Sequence, residues 1–298
     1  MIAAYIAVIL GNVVYGSSYV VSRIALEYMG PATLSLLRLL IGSLVLVPAA
    51  LAQRRDGVRL SRADRWNIFW MGLIGFAAAF AFGNWGLAHS TATNAALLIT
   101  VEPVALILFS PLVLGERLTR REAVGAALTV LGAAVIVVNG IPGVSVALVP
   151  HWRGDILLVL SGLSYVAYSL FGRDVLARHP AVPVTAWSIL WGTAAMVPFA
   201  AAEWLAGDRP VWTRTAILAG LYLGIIITAL GYLLWNWALE RMEAPRLAIF
   251  VNIQPLVGAL LGVLLLHEAL TVYTVAGGLL ILLGVHVAVL ARRSKRAS

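Results

Sequence analysis

The chain of 298 residues contains no cysteine, which excludes a disulfide framework, an iron–sulfur cluster and any zinc site built on thiolates. Charge is scarce too. Only 11% of residues are Asp, Glu, Lys or Arg, against about 25% in a soluble domain, too few to cover a large water-soluble catalytic domain. The signatures of nucleotide and metal chemistry are also missing. Gly115-Glu116-Arg117 lacks the Gly-Lys-Ser/Thr phosphate cradle, and His89, His151, His179, His267 and His286 are scattered without ligand spacing. No metal and no cofactor is therefore expected. With no serine-nucleophile motif and no paired intramembrane carboxylates, the chain does not read as an enzyme.

What is present is apolar: 61% of residues are hydrophobic and the mean hydropathy is +0.95. At about 20 apolar residues per membrane crossing, the runs predict ten spans near 2–22, 31–51, 66–88, 92–114, 122–139, 154–176, 183–206, 213–239, 245–266 and 272–291. The first has no basic residues before it and no small-residue cleavage site after it, so it reads as a retained span. The expected fold class is an all-α polytopic membrane protein.

The net charge of +8 carries topological information. Loops on the side of the termini hold Arg54, Arg55, Arg59, Arg62, Arg65, Arg117, Arg120, Arg121, Arg173, Arg178, Arg241 and Arg246, and the tail adds Arg292, Arg293, Lys295 and Arg296. The other side has Arg23, Arg153, Arg209 and Arg214, and Arg38 lies inside span two. Sixteen basic residues against four predict cytoplasmic termini by the positive-inside rule. The basic residues can also touch anionic lipid heads. No basic surface sits on a soluble module, so no nucleic-acid partner is expected.

The chain also repeats itself. At an offset of 152, Asn84-Trp85 meets Asn236-Trp237, Pro103 meets Pro255, Glu116, Leu118 and Thr119 meet Glu268, Leu270 and Thr271, and Gly125 and Gly132 meet Gly277 and Gly284. At an offset of 150, Tyr15 meets Tyr165, Arg23 meets Arg173 and Pro48 meets Pro198. Two five-helix units follow, 1–140 and 154–298 with its basic tail, joined by a connecting loop over 141–153. Because five is odd, the second unit enters the membrane from the opposite face. Such an inverted pair is the physical basis of alternating access around a midplane site.

These residues carry a family resemblance. Glu102-Pro103 through Gly115-Glu116-Arg117-Leu118-Thr119, followed by a Gly- and Ala-rich helix, resembles the closing signature of the EamA-type domain of the drug/metabolite transporter superfamily. Gln254-Pro255 through His267-Glu268-Ala269-Leu270-Thr271 resembles its second copy. Tyr15-Gly16-Ser17-Ser18-Tyr19 is similar to the first-helix motif, in which the family more often has Trp at the position of Tyr15, and Pro31 with Arg38 resembles the second-helix motif. The resemblance implies a ten-helix secondary transporter of the bacterial inner membrane. Size and aromatic content are most similar to exporters of aromatic and other amino acids; export as a direction rests on the resemblance alone. The same fold could carry a drug, a sugar derivative or a nucleobase-like compound, and a channel-like facilitator is a further alternative. Proton coupling stays open, as does the choice between monomer and homodimer.

Polar positions inside spans mark the candidate pathway. Asn12, Tyr15, Gly16 and Tyr19 fall on one stripe of span one, and Ser161, Tyr165, Tyr168 and Gly172 form the matching stripe of span six. Span three offers Phe76, Phe80, Gly83 and Asn84; span eight offers Thr228, Tyr232, Trp235 and Asn236. Leu98 is a further candidate from span four. Pro103 and Pro255 leave the carbonyls of Ile99 and Val251 without their helical donor, so spans four and nine are expected to bend there and, with spans three and eight, to move as one mouth closes and the other opens. The expected substrate-binding set is Asn12, Tyr15, Tyr19, Phe80, Asn84, Leu98, Glu102, Tyr165, Tyr168, Tyr232, Trp235 and Asn236, with Pro103 and Pro255 as helix kinks. Glu102 has two readings: it binds a substrate ammonium or a coupling proton, or it is hydrogen-bonded within the bundle or paired with Arg38. For Arg38 a structural partner role is favoured over attraction of a substrate carboxylate. Glu116 and Glu268 read as loop and cap chemistry, and Thr119 with Glu122 as a capping box. Spans five and ten, rich in Gly and Ala, read as close-packed scaffold that could equally support a dimer.

Overall fold

The computed structural model describes residues 2–52, 60–114, 118–139, 141, 151–239, 250 and 253–297, with the side chains of 2–5, 110–114, 235, 236, 238, 239 and 289–297 outside the description. Ten helices follow in order among the described residues. They are α1 (Ile2–Ala25), α2 (Pro31–Ala52), α3 (Arg62–Ala88), α4 (92–114), α5 (Arg120–Asn139), α6 (Trp152–Arg178), α7 (Ala181–Leu205), α8 (214–239), α9 (Ile253–Leu266) and α10 (Val272–Ala297). Eight are long and apolar enough to cross a membrane, and two shorter apolar segments, Ile253–Leu266 and Val272–Ala288, belong to α9 and α10. The fold is all-helical, in two inverted five-helix repeats. The face at the 178–181 turn is arginine-rich and the face at the 89–91 turn is arginine-poor.

Three structural pairings relate the halves. α5 lies against α10, with Gly125 on Gly284 and Gly132 on Gly277: a Cβ built at Gly132 would lie 2.5 Å from the carbonyl oxygen of Gly277, and one at Gly125 would lie 2.5 Å from that of Gly284. Small residues allow this approach where lipid supplies no hydrophobic drive and packing must hold helices together. The glycine faces of α5 and α10 are thus engaged with each other within the chain. Secondly, α2 packs along α7, where Ser43 Oγ meets Thr193 Oγ1 at 3.0 Å; the two are 150 residues apart and so occupy equivalent positions in the two copies. Thirdly, α3 and α8 each widen into a π-helical stretch, Met71–Ala78 and Tyr222–Leu230. π-helical turns of this kind are frequent at functional sites, and both copies carry theirs at the corresponding depth.

Helix ends are closed by side chains, many of them from elsewhere in the chain. Thr119 and Glu122 form the expected capping box at α5, with Thr119 N donating to Glu122 Oε2 at 2.7 Å and Glu122 N to Thr119 Oγ1 at 3.2 Å. Ser61 and Asp64 make an equivalent box at α3. Asp64 also accepts from Arg178 Nη2 at 2.6 Å and meets His179 Nε2 at 3.2 Å, joining α3 to the end of α6 on the arginine-rich face. At α2, the amides of Ala32 and Thr33 donate to the Glu203 carboxylate at 2.9 and 2.8 Å.

Gly132→Val should lower stability by about 1–3 kcal/mol, the usual cost of overpacking, because the obstructing atom is a backbone oxygen. Leu131→Ala, on the exposed side of the same helix, should change it by under about 0.5 kcal/mol. Unfolding midpoints of the purified protein in detergent measure both, and equal midpoints would remove the α5–α10 contact as a determinant of stability.

Candidate functional site

One cavity of about 840 Å³ lies between the two halves, walled by α1, α2, α3 and α4 of the first and α6, α7, α8 and α9 of the second. Tyr15, Tyr19, Phe80, Asn84, Glu102, Tyr165, Tyr168 and Tyr232 line it, as do Pro103 and Arg38. Helical spacing puts these residues there. Tyr15 and Tyr19 are one turn apart on α1, and Tyr165 and Tyr168 are three apart on α6, so each pair shares a helix face. The rings form a connected wall: Phe80 meets Tyr165 edge-on at 6.0 Å between centroids, Phe76 meets Tyr168 at 5.2 Å and Tyr232 at 5.5 Å, and Tyr168 lies 6.4 Å from Tyr232. Tyr168 is braced by Thr185, its hydroxyl 2.9 Å from Thr185 Oγ1.

Other expected site residues lie elsewhere. Asn12 is buried; its Nδ2 donates to Val8 O at 2.8 Å and its Oδ1 accepts from Gln254 Nε2 at 2.7 Å. Its polar atoms hold Gln254, and it is Gln254 that reaches the cavity wall. Leu98 is fully buried in the hydrophobic core and does not line the cavity. The side chains of Trp235 and Asn236 fall outside the described residues. Pro255 is buried, and Val251, whose carbonyl was expected to be freed, lies outside the described residues. In α4 the effect of proline is visible: the helix tightens to a 3₁₀ turn over Ile99–Val101, and the Glu102 amide donates to the Ile99 carbonyl that Pro103 leaves without its helical donor.

The cavity holds both charged side chains that sequence placed deep in the spans. The expected alternative of a Glu102–Arg38 pair is not formed; ion pairs among the described residues involve Asp155 and Asp64 alone. Arg38 donates from Nε to Thr228 Oγ1 at 3.0 Å, and its Cζ stands 4.4 Å above the Phe80 ring. Glu102 makes no side-chain hydrogen bond to a described residue.

The cavity runs from Ser22 and Leu87, near the arginine-poor face, to His179 and the exposed Pro180 on the arginine-rich face. Several contacts close the arginine-poor end. Arg23 Nη1 lies 3.4 and 3.5 Å from the carbonyl oxygens of Leu87 and Ala88, bridging α1 to the end of α3. Glu268 accepts from the amides of Ala92 and Thr93 at 2.6 and 2.9 Å and from Thr93 Oγ1 at 2.7 Å. Cap chemistry was expected of Glu268, but the helix it caps is α4, in the other half. His267 turns the chain there through a positive φ of 53°, a conformation in which His is among the enriched residue types. Beneath it lies a buried network that sequence reasoning missed: Asp155 accepts from Ser90 Oγ and from Asn94 Nδ2 and pairs with His151. Asp155 sits in the first turn of α6, where a carboxylate reads as ordinary N-terminal charge, and two of its partners, Ser90 and Asn94, come from the α3–α4 turn more than sixty residues away.

The sequence profile of the EamA-like transporter family matches residues 2–138 and 152–290. A probable terminal-alkyne amino-acid exporter from Streptantibioticus cattleyicolor is 31% identical over 94% of this chain and 91% of its own. A probable amino-acid metabolite efflux pump of Escherichia coli is 27% identical over 96% and 94%, and an uncharacterized transporter from Archaeoglobus fulgidus is 27% identical over 92% and 94%. A crystal structure at 23% identity shares the fold, with a TM-score of 0.65 and 98% of each chain covered.

Since the chain has no cysteine, Ser22→Cys supplies a single reporter at the closed end. Adding Arg23→Gln should speed maleimide labelling of that position from the arginine-poor side roughly two- to tenfold, the shift given by a net hydrogen-bond contribution of about 0.5–1.5 kcal/mol. Identical rates in the two backgrounds would mean that Arg23 does not hold that end shut.

Proposed function

The chain belongs to the EamA-like transporter family, and from that premise we propose that it exports small amphipathic metabolites, with aromatic and other hydrophobic amino acids as the leading cargo, by alternating access. The carrying observation is the cavity of about 840 Å³ between the halves, walled by tyrosines from both. Its volume falls in the range of about 300–1,000 Å³ typical of small-molecule sites. Tyrosine faces pack against an apolar or aromatic side chain while their hydroxyls stay available for polar contact. The printed names of two relatives, an amino-acid exporter and an amino-acid metabolite efflux pump, support the cargo class and the outward direction. The excess of basic residues on one face supports cytoplasmic termini in a bacterial inner membrane, so that a cavity reaching Pro180 faces the cytoplasm, where an exporter loads.

The transport step follows from the inverted repeat. Closing the mouth at the 178–181 turn while releasing Arg23 and Glu268 from the ends of α3 and α4 exchanges the roles of the halves and presents the cargo to the other side. The π-helical stretches of α3 and α8 and the break at Pro103 supply places where the helices can change pitch.

Counterflow of labelled phenylalanine and leucine in proteoliposomes tests this. Saturable, self-competing exchange is expected, and Tyr165→Ala should weaken apparent affinity roughly two- to tenfold, from an aromatic contact of about 0.5–1.5 kcal/mol. Linear, competition-free flux would identify a channel instead, and an unchanged affinity in Tyr165→Ala for every amino acid transported would remove the aromatic wall from recognition.

A further inference from the structure

We infer that Arg38 and Glu102 are the two ends of a zwitterion subsite: Arg38 takes the carboxylate of the cargo and Glu102 its ammonium. The inference rests on the proposed amino-acid cargo and deepens it, by making the charged head the discriminating part. A charge at membrane depth is costly unless paired, and within one cavity the chain places a cation and an anion that pair neither with each other nor with any other described charged group.

The setting of Arg38 is a positioned one. Its Nε is bound to Thr228 Oγ1 at 3.0 Å, and that hydroxyl in turn donates to Leu223 O at 2.9 Å, five residues back in the π-helical stretch of α8. Phe80 covers one face of the guanidinium at 4.4 Å. A ring beneath the plane and a fixed Nε leave the two Nη groups, which make no hydrogen bond to a described residue. Those groups form the planar fork that matches a carboxylate with two parallel hydrogen bonds. Ser188 stands at the equivalent position of the second copy and donates to its own helix at Val184 O, so the cation belongs to one half only.

Glu102 is the complementary pole. Its counterpart Gln254 is engaged with Asn12, whereas the Glu102 carboxyl has no such partner among the described residues. Tyr19 and Tyr165 line the same cavity as Arg38 and Glu102, so the tyrosine wall and both charges border one space. An α-amino acid satisfies both charges at once. A cargo lacking either group leaves one pole uncompensated.

Thermal stabilisation of the purified protein by phenylalanine, phenylalanine amide and 3-phenylpropionate tests this, because the second lacks the carboxylate and the third the ammonium. In the native chain, phenylalanine should act at a concentration at least tenfold lower than either analogue. Arg38→Gln should level phenylalanine with its amide, Glu102→Gln should level it with phenylpropionate, and Arg38→Lys should retain part of the preference. Equal potency of all three in the native chain overturns the subsite and leaves an aromatic cargo standing. A preference over the amide that survives Arg38→Gln overturns the role of Arg38. Stabilisation by none of the three overturns both the subsite and the amino-acid reading. The native-chain comparison decides the matter even if a variant fails to fold.

Discussion

A polar group at membrane depth has no water to turn to, and most of what distinguishes this chain follows from that constraint. Each interrupted helix needs a substitute donor or acceptor from within the protein. In α4 the carbonyl left by Pro103 is taken by the amide of Glu102 through a 3₁₀ turn. In α8 the widened π-helical stretch brings the Thr228 hydroxyl to the Leu223 carbonyl. Helix N-termini show the same pressure: the first amides of α2 and α4 are met by Glu203 and Glu268, carboxylates from distant parts of the sequence. A negative charge at a helix N-terminus is favourable in itself, and here it also ties together helices that lipid would leave free to drift.

The two copies share a scaffold and differ where cargo chemistry is concentrated. Shared positions make the framework: glycine on glycine between α5 and α10, Ser43 on Thr193 between α2 and α7, and the paired π-helical stretches. Two of the differences fall at the cavity. Glu102 faces Gln254 across the repeat, and Arg38 faces Ser188. On the proposed alternating-access reading, an inverted pair needs matched frames so that either mouth can close, but it has one site, and the proposed subsite for a zwitterion must itself be asymmetric. Symmetry in the helices and asymmetry in the walls are two consequences of one task.

Helix number, the repeat and much of the cavity wall were legible in the sequence because periodicity encodes them. Tyr15 with Tyr19 and Tyr165 with Tyr168 recur at one-turn spacing on otherwise apolar helices, and such stripes have few alternatives inside a bilayer. Asn12 shares the stripe of Tyr15 yet hydrogen-bonds to Gln254, since spacing fixes a face but not which neighbour meets it. Leu98 carries no polar signal, and the turn at Ile99–Val101 rotates the chain between it and Glu102. What sequence could not supply were the partners. Glu268 announces a cap, but that it caps α4 depends on the packing of the two halves; Asp155 announces a helix start, but its burial with Ser90 and Asn94 depends on the start of α6 meeting the α3–α4 turn.

The state of the molecule can be read from equivalent residues. Arg23 and Arg173 are related by the repeat, one at the end of α1 and the other near the end of α6. Arg23 bridges to the Leu87 and Ala88 carbonyls, where the last turn of α3 has spare acceptors. Arg173 is exposed and makes no hydrogen bond to a described residue. On the proposed alternating-access reading, one mouth is latched at a time, and the Arg23 contacts lie at the arginine-poor mouth, opposite the end at which Pro180 borders the cavity. The cation that would bind a cargo carboxylate is held to α8, the helix whose first-copy equivalent, α3, receives the latch. If the proposed subsite holds, cargo binding and mouth closure act on equivalent helices of the two repeats, because Arg38 is bound to Thr228 of α8 and Arg23 to the end of α3.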